Sequence, residues 1–271
     1  MERLKLGVIG AGKIGEALIG GLLKNRTFRK ENVIASTAHE HTARAVHQRL
    51  HIKTTLDNLA VVQQSDIVLL GVKPHHMTTV LKEIQPHVTE NHLLISVVTG
   101  VPTYFIEETL QVSVPVIRAM PNTPAFISMG MTVLCNGLYA TTEQHEIAER
   151  IFNTIGRTAW IEESMMNAAT GLSASGPAYI YVVIESLAEA GVKVGFSRDL
   201  ATLLAAQTVL GAAGMVLETN EHPAKLKDSV TTPAGVTIDG LLELEEGKLR
   251  VTLIKAIMMA AKRAEQLFDA S

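Results

Sequence analysis

The sequence predicts an α/β chain in which a doubly wound parallel sheet is followed by an all-helical region. Three observations predict it. A glycine-rich turn at residues 10–15 joins a short apolar run to a helical pattern, strand and helix patterns then alternate to about residue 160, and beyond Glu163 only Ala- and Leu-rich runs of helical period remain. At 271 residues the chain is long enough for two domains, and 47% hydrophobic against 19% charged residues describes a compact, soluble chain with a sizeable core.

The elements follow in order. Leu4–Ile9 reads as a strand and runs into Gly10-Ala11-Gly12-Lys13-Ile14-Gly15, after which Glu16 to Leu23 has helical period. Gly10 permits the tight turn, Gly12 admits a pyrophosphate close to the backbone, and Gly15 lets helix and strand pack closely. The helix N-terminus supplies the field for the phosphates, which together is the dinucleotide-binding turn of a Rossmann-type domain; a structural glycine turn is the alternative. Val33–Thr37 is the next strand. A helix near 56–64, strands at 66–71, 92–97 and 114–118 with helices between them, and then 130–135, a helix over 143–155 and 157–161 complete this half. The boundary is expected near residue 162, giving a dinucleotide-binding domain over 1–162 and a helical substrate and dimerisation domain over 163–271.

The strand at 33–37 should end on the group that meets the adenosine ribose, an acid where the cofactor is NAD. Ser36 and Thr37 stand there instead, with His39 and Arg44 close behind and Asn58 on a later loop that can return to the same edge. This favours NADPH, with NADH as the alternative. In a doubly wound sheet the ligand lies beyond the carboxyl ends of the strands, so 71–74, 96–100 and 120–124 should line one crevice. Asn122, in a loop stiffened by Pro121 and Pro124, could reach the nicotinamide end; a rigid turn is the plainer reading.

Helical patterns then cover 165–170, 177–193, 199–217, 238–246 and 249–267. The run 199–217 contains Gly211 and Gly214, each costing about 1 kcal/mol of helix stability relative to alanine, so close contact with another helix is expected and a homodimer or higher homo-oligomer through this half follows. Between two of these helices lies Thr231-Thr232-Pro233-Ala234-Gly235-Val236-Thr237. It gathers hydroxyls, a fixed proline and the unpaired N–H groups of a helix start, which suits a small anion; an ordinary capped loop is the alternative.

These motifs, with Val72-Lys73-Pro74, Arg118-Ala119-Met120-Pro121-Asn122-Thr123-Pro124 and Ser175-Gly176-Pro177-Ala178-Tyr179 in the same order, closely resemble the pyrroline-5-carboxylate reductase family over nearly the whole length. The resemblance implies reduction of 1-pyrroline-5-carboxylate to L-proline with NADPH or NADH, the last step of proline biosynthesis, and dimerisation through interleaved C-terminal helices. It implies that Gly10, Ala11, Gly12, Lys13, Ile14 and Gly15 hold the pyrophosphate and that Ser36, Thr37 and Asn58 hold the adenosine end. Val72, Lys73, Pro74 and Asn122 would hold the middle and nicotinamide end, and Thr231, Thr232, Ala234, Gly235, Val236 and Thr237 the substrate. The chain departs from the family at Ala234, where a glycine is usual; a positive φ there would strain an alanine.

Reducing a cyclic imine needs a hydride donor over the imine carbon, a partner for the ring nitrogen and a clamp for the carboxylate, but no nucleophile. Thr237 is the candidate for the nitrogen. The N–H groups of 234–236 and the Thr232 hydroxyl are the candidates for the carboxylate. A 3-hydroxyacid-type dehydrogenase would want a general base, commonly a cleft lysine, and after Gly176 none occurs until Lys193. A catalytically silent cofactor-binding regulator of the same fold is the remaining rival.

Other classes are disfavoured. A formal charge of -3 without a basic run argues against nucleic acid. The scattered histidines predict no metal site. No apolar stretch is expected to reach the roughly 18 residues of a membrane span, and no signal-peptide pattern opens the chain, so no membrane partner and a cytoplasmic location are expected. Cys135, the only cysteine, reads as a small buried side chain.

Overall fold

In the computed structural model residues 3–269 are described, with side chains as far as Gln266. The first half alternates as β1 (Leu6–Ile9), α1 (Lys13–Lys24), β2 (Val33–Ser36), α2 (Glu40–Leu50), β3 (Lys53–Thr55), α3 (Asn58–Gln63), β4 (Ile67–Leu70), α4 (Met77–Ile84), β5 (Leu93–Ser96), α5 (Thr103–Leu110) and β6 (Val116–Met120). It continues with β7 (Gly130–Asn136), α6 (Thr142–Phe152), β8 (Gly156–Trp160) and the short α7 (Met166–Ala169), which runs into a π-helical turn over Thr170–Ala174. The strands form one sheet in the order β3-β2-β1-β4-β5-β6-β7-β8. The strand order reverses at β1, which lies between β2 and β4, so the ends of β1 and β4 flank the switch point where such sheets take their ligands.

The apolar runs form strands because both of their faces are covered, the condition under which a parallel sheet reads as a continuous hydrophobic stretch. On one face Leu6, Val8, Ile67, Leu69 and Ile95 pack with Leu18, Ile19 and Leu22 of α1 and with Ile151 and Phe152 of α6. On the other, Ile9, Ile34, Val68, Leu70 and Leu94 pack with Val61 and Val62 of α3, Leu81 and Ile84 of α4 and Ile106 of α5. Strands β1, β4 and β5 are buried at every position.

Two elements differ from a purely parallel sheet. β7 pairs antiparallel with β6, Met120 opposite Val133 and Arg118 opposite Cys135, and β8 then pairs parallel with β7. Only residues 121–129 separate β6 from β7, too short for the crossover of a dozen or more residues that a parallel return needs. The edge strand β3 has no apolar run to announce it, since Lys53, Thr54 and Thr55 are all at least partly exposed.

The chain divides into two compact units, one reaching Ser175 and resuming at Met258, the other Gly176–Ile257. The second unit is helical: α8 (Gly176–Lys193), α9 (Arg198–Thr219), α10 (Pro223–Ser229), α11 (Val236–Glu246) and the first part of α12 (Leu249–Asp269). Its small core joins Ala188 to Ala201 and Ala205, and a Cβ on Gly191 would lie 2.9 Å from that of Ala201, so α8 and α9 approach through small side chains. Within α9 the run from Leu200 to Leu217 carries no charge, and an 18-residue window has mean hydropathy 1.8 with only 11% of it buried. By length and composition α9 is long and apolar enough to cross a membrane, against the expectation that no apolar stretch reaches that length; its polar residues, Thr202, Gln207 and Thr208, are uncharged.

Candidate active site

The glycine turn is built as its spacing predicts. Gly10 has φ +84, and a Cβ there would lie 2.8 Å from Val72 Cγ1. The N–H groups of Gly10 and Ala11 donate to the Ser36 carbonyl at 3.1 and 3.0 Å, tying the turn to the end of β2. A Cβ on Gly15 would touch Val8 Cγ1 at 3.4 Å, the close helix–strand approach, whereas a Cβ on Gly12 would meet nothing within 4 Å. The open space lies where a phosphate must come near the backbone. Gly12 caps α1 without a side-chain bond, so the N–H groups around Lys13 and Ile14 remain for an anion.

At the β2 edge, Ser36 and Thr37 are buried, and both hydroxyl protons are already committed. Ser36 Oγ donates to Asn58 Oδ1 at 2.6 Å, and Thr37 Oγ1 donates to the His39 carbonyl at 3.0 Å. Asn58 Nδ2 donates onward to Glu83 Oε2 at 2.8 Å. Ser36 and Asn58 thus do meet, across 22 residues of sequence. His39 caps α2 with no side-chain bond, its ring stacks on His41 with centroids 5.4 Å apart, and Arg44 pairs with Glu40 one turn along the same helix.

Val72, Lys73 and Pro74 follow β4 after Gly71, with Lys73 exposed and extended ahead of a short 3-10 turn. Asn122 is held inside the first unit: its Oδ1 accepts from the Met131 N–H at 2.9 Å and its Nδ2 donates to the Ser173 carbonyl at 3.1 Å. Its amide braces the connection that reverses the chain between β6 and β7.

In the second unit, Thr232 to Gly235 is a tight turn closed by Gly235 N–H donating to the Thr232 carbonyl at 3.0 Å. Ala234 has φ +55. With Pro233 before it, this is a type II turn, whose third position favours glycine, and the left-handed form costs an L-residue about 1 kcal/mol. Among the described residues six others with side chains have positive φ, each at or just after a helix end; Ala234 is the one that follows no helix end directly. A Cβ on Gly235 would collide with the Thr232 hydroxyl. Thr231 Oγ1 donates to the Lys227 carbonyl at 2.9 Å and so serves α10. The hydroxyls of Thr232 and Thr237 have no partner among the described residues. Gly235 caps α11 without a side-chain bond, and Val236 is 89% exposed.

Burial pushes the Cys135 thiol up to about 12, so it is no nucleophile at neutral pH. Among the described residues no group of three or more His, Cys, Asp or Glu could hold a metal ion. Two features escaped the sequence. Helix α10 was signalled by His222-Pro223, since His222 Nδ1 accepts the Ala224 N–H at 3.2 Å and Pro223 stands in the first turn. Glu83 gave no signal, because an exposed acid on an amphipathic helix looks like any other.

Comparison with known proteins agrees with this layout. Residues 5–100 match the family profile described as NADP oxidoreductase coenzyme F420-dependent, and residues 163–267 match the one described as Pyrroline-5-carboxylate reductase dimerisation. The pyrroline-5-carboxylate reductase of Methanosarcina acetivorans is 42% identical over 267 residues, covering 98% of this chain and 99% of that one. That of Glycine max is 40% identical over 266 residues, covering 98% and 97%. The crystal structure of Plasmodium falciparum pyrroline carboxylate reductase with NADP bound matches with a TM-score of 0.90 at 31% identity, covering 99% of each chain.

Proposed function

The chain belongs to the pyrroline-5-carboxylate reductase family, and on that premise we propose that it reduces the C=N bond of 1-pyrroline-5-carboxylate to give L-proline. NADPH is the cofactor and supplies the hydride; NADH is the alternative donor. The glycine turn, with its open face at Gly12 and uncapped α1, suits the pyrophosphate. Ser36, Thr37 and Asn58 serve the adenosine end, and Val72, Lys73 and Pro74 the path toward the nicotinamide. Asn122 serves the nicotinamide end with the second N–H and lone pair that its bonds to Ser173 and Met131 leave over, those bonds fixing its orientation.

The substrate end of the reaction belongs to the 231–237 turn. The observation that carries this is the pair of unpartnered hydroxyls, Thr232 and Thr237, on either side of a fixed turn that opens an uncapped helix. The N–H groups of Ala234 and Val236 with the Thr232 hydroxyl receive the carboxylate, while the Gly235 N–H closes the turn that presents them. Thr237 bonds the ring nitrogen, which is most electrophilic when protonated. Thr231 anchors the turn to α10. No side chain needs to act as a nucleophile: positioning and exclusion of water supply the rate.

The assembly is a homodimer, or a larger oligomer of dimers, through the second unit, and the domain boundary near residue 162 marks where that role begins. Leu203, Val182, Ile254 and Leu242 are each more than half exposed, and Gly211 and Gly214 of α9 have no neighbour within 4 Å of a built Cβ. Those side chains want a partner. The test of function is oxidation of NADPH on adding pyrroline-5-carboxylate, which should be rapid and yield proline. Thr237→Ala should lower turnover by roughly ten-fold or more, a loss of about 1.4 kcal/mol in transition-state binding. A wild-type chain that binds NADPH without oxidising it, or a T237A variant with unchanged turnover, would sink the respective assignment.

A further inference from the structure

The short helix α7 and the long helix α8 are joined by one turn that slips register. Over Thr170–Ala174 the backbone is π-helical, and the Ser175 N–H donates to the Thr170 carbonyl at 3.0 Å, five residues back instead of four. Ser175 keeps right-handed dihedrals, φ -83 and ψ -21, and α8 opens at Gly176 with Pro177 as its second residue. In the α register the donor for the Ser173 carbonyl is the N–H of residue 177, and a proline has none. A carbonyl without its helical donor needs one from elsewhere. It finds Asn122, 51 residues earlier in the chain, whose Nδ2 donates to it at 3.1 Å.

That bond decides how the Asn122 amide faces. The Met131 N–H can only donate and takes Oδ1 at 2.9 Å, whereas the Ser173 carbonyl can only accept and takes Nδ2. With both in place, a flipped amide would set donor against donor and acceptor against acceptor. The N–H and the lone pair left over are each fixed in direction by the two bonds already made. Were residue 177 able to donate, the helix could take the Ser173 carbonyl for itself, and the amide would be held at one end only. We propose that Pro177 is a positioning residue: by denying the Ser173 carbonyl a donor within the helix, it commits that carbonyl to Asn122 and so fixes the amide that serves the nicotinamide. The inference rests on the reading above, that Asn122 meets the cofactor there.

A double-mutant cycle on the full chain tests this. Pro177→Ala should lower kcat by roughly five-fold, the scale of one hydrogen bond, and should change kcat little once Asn122→Ala has removed the amide. Stability should couple as well. Without cofactor, N122A should lower Tm, and that fall should be about 2–4 °C smaller when P177A supplies a helical donor for the orphaned carbonyl. Asn122→Ser, a residue suited to opening the 3-10 turn over Thr123–Ile127, takes the place of N122A if that chain fails to fold. Equal losses of kcat from P177A with and without Asn122 overturn the proposal, since the proline would then act by itself; so does a P177A chain with undiminished kcat. Additive shifts in Tm beside a lowered kcat in N122A overturn the proposal and leave Asn122 at the nicotinamide. A kcat unchanged in N122A overturns that reading, and the positioning role with it.

Discussion

Residues in this chain divide between those whose chemistry is visible in their type and those whose chemistry depends on a neighbour. Gly10, Gly12 and Gly15 are of the first kind: the three positions meet respectively a tight turn, open space and a strand side chain, as their spacing implies. Ala234 is of the second kind. Only its φ of +55 shows that the turn holds it in a glycine's conformation. Thr231 and Thr232, adjacent and chemically alike, separate only in the structure, where one hydroxyl serves α10 and the other is free. Gly235 makes that difference testable, because a methyl there drives into the Thr232 hydroxyl while leaving the first unit untouched. Gly235→Ala should raise KM for pyrroline-5-carboxylate by roughly ten-fold, on the scale of one lost hydrogen bond to a charged group, with KM for NADPH changing little. Parallel rises in both constants would place the damage elsewhere.

Among elements, α5 shows how acids anchor loops that have no apolar reason to stay. Glu163 accepts from the Thr103 N–H at 2.8 Å and from Arg118 at 3.2 Å, so it caps a helix whose own cap, Pro102, has no side-chain bond to give. Glu107, a turn further on, accepts the Leu138 N–H at 2.7 Å and so holds the loop after β7. Burial raises the Glu107 carboxyl above its ordinary 4.5, its backbone bonds oppose the rise, and the charge of Glu163 adds to it. A raised folded value means that the native state binds the proton more tightly than the unfolded chain does. The contribution to stability is therefore fully present below pH 4.5 and is lost as pH rises through the raised value. Glu107→Gln stays neutral and can still accept from Leu138, so its Tm should gain on wild type as pH climbs from 4.5 toward 7 and then stay ahead. Melting curves across that range check it; a constant offset would mean the charge has no part. At this scale the alternation of strands and helices was legible from apolar runs bounded by turns. The direction of β7 was not read from periodicity, because parallel and antiparallel strands share a period of two and only the length of the connection separates them.

For the whole molecule, the sheet half could be read closely because its core is completed within the chain, whereas the helical half buries so little of itself that its sequence describes a surface as much as an interior. Gly211 and Gly214 look like flaws in a single α9, and the proposed dimer would give them a reason. Gly214→Leu should leave the protomer folded, since nothing lies within 4 Å of a built Cβ, yet crowd the proposed dimer. Overpacking of this kind should weaken association by roughly ten-fold or more, with activity falling as the dimer does. Sedimentation velocity over a range of concentrations, beside a helical signal by circular dichroism, separates the outcomes; a dimer undisturbed by G214L would move the interface off this face. The uncharged run of α9 carries a further consequence. If a second copy covers α9 as proposed, dissociation bares a long uncharged apolar face, and a dilute protomer should adhere to apolar surfaces more readily than the concentrated dimer.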